Sequence, residues 1–112
     1  MVTAGKYSVW FKTPIGEGAG VVQFDHNGEL HGGDSTFVYE GNWKQVNGRL
    51  QAALSARRSE PGPPGVFGLD ELDITLTGLS YDGGASVSCT GFARQSPGLP
   101  LELTLLRIRD DP

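Results

Sequence analysis

An all-β, single-domain antiparallel up-and-down β-barrel of about eight strands is the fold that the sequence predicts. Three observations predict it: apolar residues recur with a period of two through most of the chain, turn residues interrupt them at short intervals, and no segment carries a helical apolar stripe. The 112 residues suffice for one core and leave little room for a second. Hydrophobic residues at 38% and charged residues at 20% are the balance of a globular chain, and 17 glycines with 7 prolines call for many turns. Closure removes the edges that an open sheet would expose, and a barrel of this size is either filled by side chains or wide enough for one small ligand.

In the first strand Tyr7, Val9 and Phe11 alternate with Ser8, Trp10 and Lys12, and Thr13-Pro14-Ile15-Gly16 ends it. Glu17 to Asp25 resumes the period with Val22 and Phe24 on one face. Asn27-Gly28 reads as a type I′ hairpin turn, Glu29 to His31 as a short strand, and Gly32-Gly33-Asp34 as a bend in which Asp34 can bond nearby backbone N–H groups. Phe37 and Tyr39 then oppose Thr36, Val38 and Glu40 in a strand running to near Trp43. Asn47-Gly48 marks a second tight turn, followed by Leu50, Ala52, Leu54 and Ala56 on the inward face, where the alanines relieve crowding. Arg57 to Gly68 holds three prolines and three glycines without any period and reads as a loop or flap. Leu72, Ile74 and Leu76 form the next inward set, with Glu71, Asp73, Thr75 and Thr77 outside. A turn is expected at Asp82-Gly83-Gly84, then a strand in which Val87 and Cys89 share a face. Gln95 to Pro100 reads as the last loop, and the handover from Leu101, Leu103 and Leu105 to Leu106 and Ile108 predicts a bulge or two-sided burial.

Charge and composition exclude several functions. A net charge of −4, with nine basic residues scattered among thirteen acids, argues against a nucleic-acid surface. A single cysteine forms no internal disulfide, the start MVTAGKYSVWFK lacks a signal-peptide apolar run, and no stretch is long enough to span a membrane as a helix. A cytoplasmic protein is therefore expected. Asp25, Asn27 and Glu29 begin like a calcium loop, but Leu30 and Thr36 stand where its glycine and glutamate belong. His26, His31 and Asp34 lack metal-ligand spacing, and Gly32-Gly33 lacks the strand-to-helix setting of a phosphate loop. Cys89 sits mid-strand with no histidine near it in sequence, and Glu71 and Asp73 read as a solvated face. No catalytic, cofactor-binding or metal-binding residue is expected.

The segment GKYSVWFKTPIGEGAGVVQFDHNGELHGGDSTFVYEG resembles the GrlR family of negative regulators of type III secretion. The resemblance lies in Gly5-x-Tyr7-Ser8, in Gly16-Glu17-Gly18, in the turn residues Asn27, Gly28, Gly32, Gly33 and Asp34, and in Val38-Tyr39-x-Gly41. It implies a small calycin-like (lipocalin-like) barrel without catalytic activity that acts by binding a transcriptional activator protein. Enterobacterial members carry acidic residues in the loop falling at Gln45-Val46-Asn47-Gly48, and this chain has no carboxylate there, so their partner-binding residues do not carry over.

Two binding modes follow as expectations. One is a protein partner or a homodimer on an outer surface around Trp10, Val21 and Trp43, with tryptophan as the anchor. The other is a small apolar ligand or lipid in a cavity lined by Val22, Phe24, Leu50, Leu54, Leu72, Ile74 and Leu76, with Gly62 to Gly68 over its mouth.

Overall fold

The computed structural model describes residues 2–81 and 84–108; Asp82 and Gly83, part of an expected turn, lie outside them. Eight antiparallel strands follow one another around a closed barrel: β1 (Gly5–Thr13), β2 (Gly16–Phe24), β3 (Glu29–Gly33), β4 (Phe37–Val46), β5 (Arg49–Arg58), β6 (Glu71–Tyr81), β7 (Ser86–Ala93) and β8 (Ser96–Arg107). Closure comes from β1 pairing with β8, in unbroken register from Tyr7↔Arg107 to Lys12↔Glu102. The two-residue period sorts every strand into inward and outward sets. The inward set is the core, and Tyr7, Leu50 and Val87 are its largest fully buried side chains. Each large apolar side chain so removed from water contributes on the order of 2 kcal/mol.

The turns show where local chemistry decides geometry. Asn47 and Gly48 both have positive φ, 53° and 78°, and join Val46 to Arg49 as a type I′ turn. Asn27-Gly28 does not. There Asp25 N–H donates to Glu29 O at 2.8 Å and Gly28 N–H to Asp25 O at 3.2 Å, closing a three-residue loop in which Gly28 alone is left-handed, at φ 88°. The Asn27 side-chain oxygen accepts Glu29 N–H at 3.1 Å, a local bond that competes with the type I′ form.

Four boundaries differ from the sequence expectation. Gly32 and Gly33 are ladder residues opposite Val22 and Val21, so the bend falls on residues 34–36 alone. Strand β4 continues past Trp43 to Val46, and β5 absorbs Arg57 and Arg58. The segment Gln95–Pro100 is not a loop: β8 already begins at Ser96, and the pairing steps from Ala93↔Ser96 to Gly91↔Leu101. The irregularity of the last strand therefore sits at Pro97, Gly98 and Pro100, residues that suit a bulge, and Leu106 points outward with 52% of its surface exposed.

The two ends of the barrel are built differently. At one end Val2 is buried, Tyr7 OH donates to Thr3 O at 2.6 Å, and Phe24 packs between Tyr7 and Trp43 with ring centroids 5.2 Å from each. Leu50 fills the same end. At the other end residues 59–70 cross from β5 to the β1–β2 hairpin, where Thr13 Oγ1 donates to Val66 O at 2.5 Å. Phe67 is buried there, so the crossing segment is packed onto the barrel.

Candidate ligand cavity

Beneath that crossing segment lies a cavity of about 280 Å³. Its walls are inward residues of seven strands: Val9 and Phe11 of β1, Val22 and Phe24 of β2, Leu30 of β3, Phe37 and Tyr39 of β4, Ala52, Leu54 and Ala56 of β5, Leu72, Ile74 and Leu76 of β6, and Leu101, Leu103 and Leu105 of β8. Space is left because β5 places alanine at two inward positions, opposite Leu76 and Leu72 of β6 and Trp43 and Tyr39 of β4. Residues 63–67 roof it.

Besides the Thr13–Val66 bond and the buried Phe67, one side chain ties the two ends of the roof. Arg58 bonds Asp70 Oδ1 at 2.7 Å and donates to the carbonyls of Glu60, Gly62 and Pro63 at 3.2, 3.5 and 2.9 Å, while its guanidinium lies 4.9 Å from the Phe37 ring centre. A planar fork of donors satisfies this many acceptors at once; a lysine would not.

Polar groups gather at the mouth, around the turn of residues 34–36. Asp34 Oδ1 accepts Thr36 N–H at 2.9 Å, Phe37 N–H at 2.8 Å and Thr36 Oγ1–H at 3.2 Å, and Oδ2 accepts the Tyr39 hydroxyl. Burial by itself raises the Asp34 pKa, but the bonds from Tyr39, Thr36 and Phe37 outweigh it and hold the carboxyl below its ordinary value. The Tyr39 phenol is pushed far up, first by burial and then by the adjacent carboxylate. Phe11 meets Tyr39 edge to face at 6.4 Å, forming one side of the mouth.

The mouth has a gap in its wall. Pairing of β2 with β3 stops at Val21↔Gly33, so β2 from Gly16 to Gly20 has β1 on one side and no strand on the other. Residues 17–19 border the cavity at this edge, Gly18 on the inward phase of β2 and Glu17 and Ala19 on the outward one.

Six of the seven residues expected to line a cavity do so: Val22, Phe24, Leu54, Leu72, Ile74 and Leu76. Leu50 does not, because it is 1% exposed within the packed opposite end. Trp10 and Val21 point outward, but Trp43 is no surface anchor. It shares the inward phase of Phe37 and Tyr39, packs on Phe24, and its indole N–H donates to Asp25 O at 3.0 Å. Asn27 and Gly28 lie at the end away from the mouth, whereas Asp34 shapes the mouth. Neither the Asp34–Tyr39 pair nor the uncovered β2 edge was legible in the sequence, since both depend on how the chain pairs and turns in three dimensions.

Among the described residues no group of histidine, cysteine and carboxylates is arranged to hold a metal. His31 lies 3.4 Å from Asp25, and both are partly exposed. Cys89 is buried opposite Gly78, and burial pushes its thiol up to about 12, which leaves it almost wholly protonated near neutrality. Asp73 on the outer face is held below its ordinary value by bonds from Arg94 and Gln95. No described helix is long and apolar enough to cross a membrane. No family model matches the chain, and no curated protein matches it significantly.

Proposed function

We propose that this chain is a non-catalytic binding protein whose barrel takes a small apolar ligand. The cavity carries this reading: it is walled by aliphatic and aromatic side chains and roofed by a latched segment, with its polar groups confined to the mouth. Preformed apolar pockets with a few convergent polar groups are the usual form of small-molecule sites. A cavity of roughly 150 Å³ is enough for benzene, so this one suits about a dozen non-hydrogen atoms. Naphthalene is expected to raise the thermal midpoint of the wild type and to shift its cavity methyl resonances. In Ala56→Leu, which fills the space, the protein is expected to stay within about 1 kcal/mol of wild-type stability and to lose both responses. A wild type indifferent to naphthalene, or an Ala56→Leu protein that binds it equally well, would count against a ligand cavity.

A second reading, a regulator that docks a protein on its outside, is favoured by the outer face. Two neighbouring rows cross β6, β7, β8, β1 and β2: Leu79, Ser88, Thr104, Trp10 and Ala19, and Tyr81, Ser86, Leu106, Ser8 and Val21. Neither row holds a charged side chain, and Trp10, Leu106 and Tyr81 are each about half exposed. The GrlR resemblance implies a transcriptional activator as the partner, and the same face suits a second copy of this chain. If it is a self-association surface, sedimentation should show a concentration-dependent dimer that Trp10→Lys weakens by roughly thirtyfold, the worth of a central tryptophan. A wild type that stays monomeric at high concentration removes the homodimer.

A further inference from the structure

Glu17 and Ala19 border the cavity although their side chains stand on the outward phase of β2, so what they bring to it is main chain. The register fixes which way that main chain faces. In an antiparallel ladder, alternate residues turn both N–H and C=O to the same neighbour. Asp25 N–H bonds Glu29 O at 2.8 Å, so Gln23 and Val21, paired with His31 and Gly33, are the residues of β2 that face β3. Ala19 and Glu17 continue that alternation beyond the last rung, and their groups point into the gap where β3 has turned away. No main-chain group among the described residues bonds them there.

The inward phase of this stretch is Gly16, Gly18 and Gly20, so no β2 side chain stands in front of the edge. Gly16, beside Glu17, lies under the roof, its Cβ position 3.7 Å from Val66 Cα. Ala19 lies between that contact and the last rung. The Phe11 ring covers Gly18, whose Cβ position falls 2.5 Å from it, and meets Tyr39 edge to face. A flat ring entering here has an aromatic wall on one side and a strand edge on the other. A hydrocarbon that dried this edge would leave both Ala19 groups unpaired, which costs more than a bond gains. No lysine, arginine or histidine lines the cavity, so nothing there matches an anionic head. The N–H and C=O of one residue match a neutral ligand that carries an acceptor and a donor on adjacent atoms, and a cis-amide within a ring is such a pair.

We propose that the cavity takes a flat apolar lactam, with its ring inside the barrel and its C=O and N–H bonded to the N–H and C=O of Ala19. This rests on the reading of the barrel as a ligand-binding protein and names the class of ligand.

Three bicyclic probes separate the two claims: 2-quinolone, N-methyl-2-quinolone, whose donor is blocked, and naphthalene, each titrated at neutral pH into the full chain. 2-Quinolone is expected to bind about tenfold tighter than its N-methyl form, roughly the worth of one hydrogen bond, and to shift the Ala19 amide proton downfield. Ala19→Pro removes an N–H that the ladder does not use, a change that edge strands accept, and Gly18 before it is already extended. That variant is expected to lose about tenfold in affinity for 2-quinolone and to keep its naphthalene affinity within about twofold. Equal affinity of the wild type for 2-quinolone and its N-methyl form, or a 2-quinolone affinity that survives Ala19→Pro, overturns the lactam assignment while leaving the apolar cavity in place. If Ala19→Pro does not fold, the N-methyl comparison and the Ala19 amide shift in the wild type decide. Failure of 2-quinolone and naphthalene alike to bind the wild type overturns both.

Discussion

Replacing Gly41 with alanine is expected to lower the unfolding free energy by about 3 kcal/mol or more and the thermal midpoint by on the order of 10 °C. Gly41 occupies an inward position of β4 between Tyr39 and Trp43, paired with Leu30 on one side and Leu54 on the other. A Cβ there would lie 2.1 Å from the Ala53 carbonyl oxygen and 2.6 Å from Leu54 Cα. Both are backbone atoms of β5, so no rotamer change relieves the clash. The strand that carries Ala52, Leu54 and Ala56 along the cavity would have to move. Gly48→Ala is the matched control: nothing lies within 4 Å of its Cβ position, and only the φ of 78° penalises a side chain, by about 1 to 2 kcal/mol. Urea unfolding of both variants beside the wild type measures the difference. A Gly41→Ala protein no less stable than Gly48→Ala would mean that the barrel is not closely packed at this crossing.

That crossing shows what the sequence could and could not convey. Periodicity identified the main inward residues of β1, β5, β6 and β7, because apolar side chains recur there at every second position over three or more residues or, in β7, at Val87 and Cys89. It was silent on Gly32 and Gly41, since a missing side chain has no hydrophobic phase, and Gly32 was read as part of a bend. Its Cβ position falls 2.1 Å from Val21 O, so the requirement is steric and arises from a neighbouring strand. Trp43 was misplaced for a related reason: with Gly41 blank, the phase of β4 faded after Tyr39. The cavity was legible as a possibility through Ala52 and Ala56, but whether eight strands enclose space or fill it depends on the sum of side-chain volumes. The uncovered edge at Glu17 follows from the shortness of β3, and strand ends are set by tertiary pairing more than by local propensity. The fold agrees with the barrel that the GrlR resemblance implies, while the partner it implies stands as a proposal.

Asp34→Ala is expected to destabilise the protein by about 2 to 4 kcal/mol, because it strips the acceptor from two backbone N–H groups and a phenol in a partly buried turn. Asp34→Asn keeps one acceptor oxygen and the shape, and should cost about half as much. The pair also sets a pH dependence. The folded Asp34 carboxyl lies below its ordinary value of 3.8, so the stability it contributes is fully present above that value and is lost as pH falls through the lower, folded one. Tyr39 runs the other way: burial and the neighbouring carboxylate hold its phenol above the ordinary 10.0, so its contribution is complete below 10.0 and is lost as pH rises beyond it. Wild-type urea midpoints should therefore fall at both extremes, and Asp34→Asn should flatten the acid limb. Ionisation of Tyr39 would accompany unfolding, so its tyrosinate absorbance is expected to rise together with the alkaline unfolding transition. An acid limb unchanged in Asp34→Asn would show that other carboxylates carry it. The mouth of the cavity, which this turn and Tyr39 build together, would then keep its shape independently of the charge on Asp34.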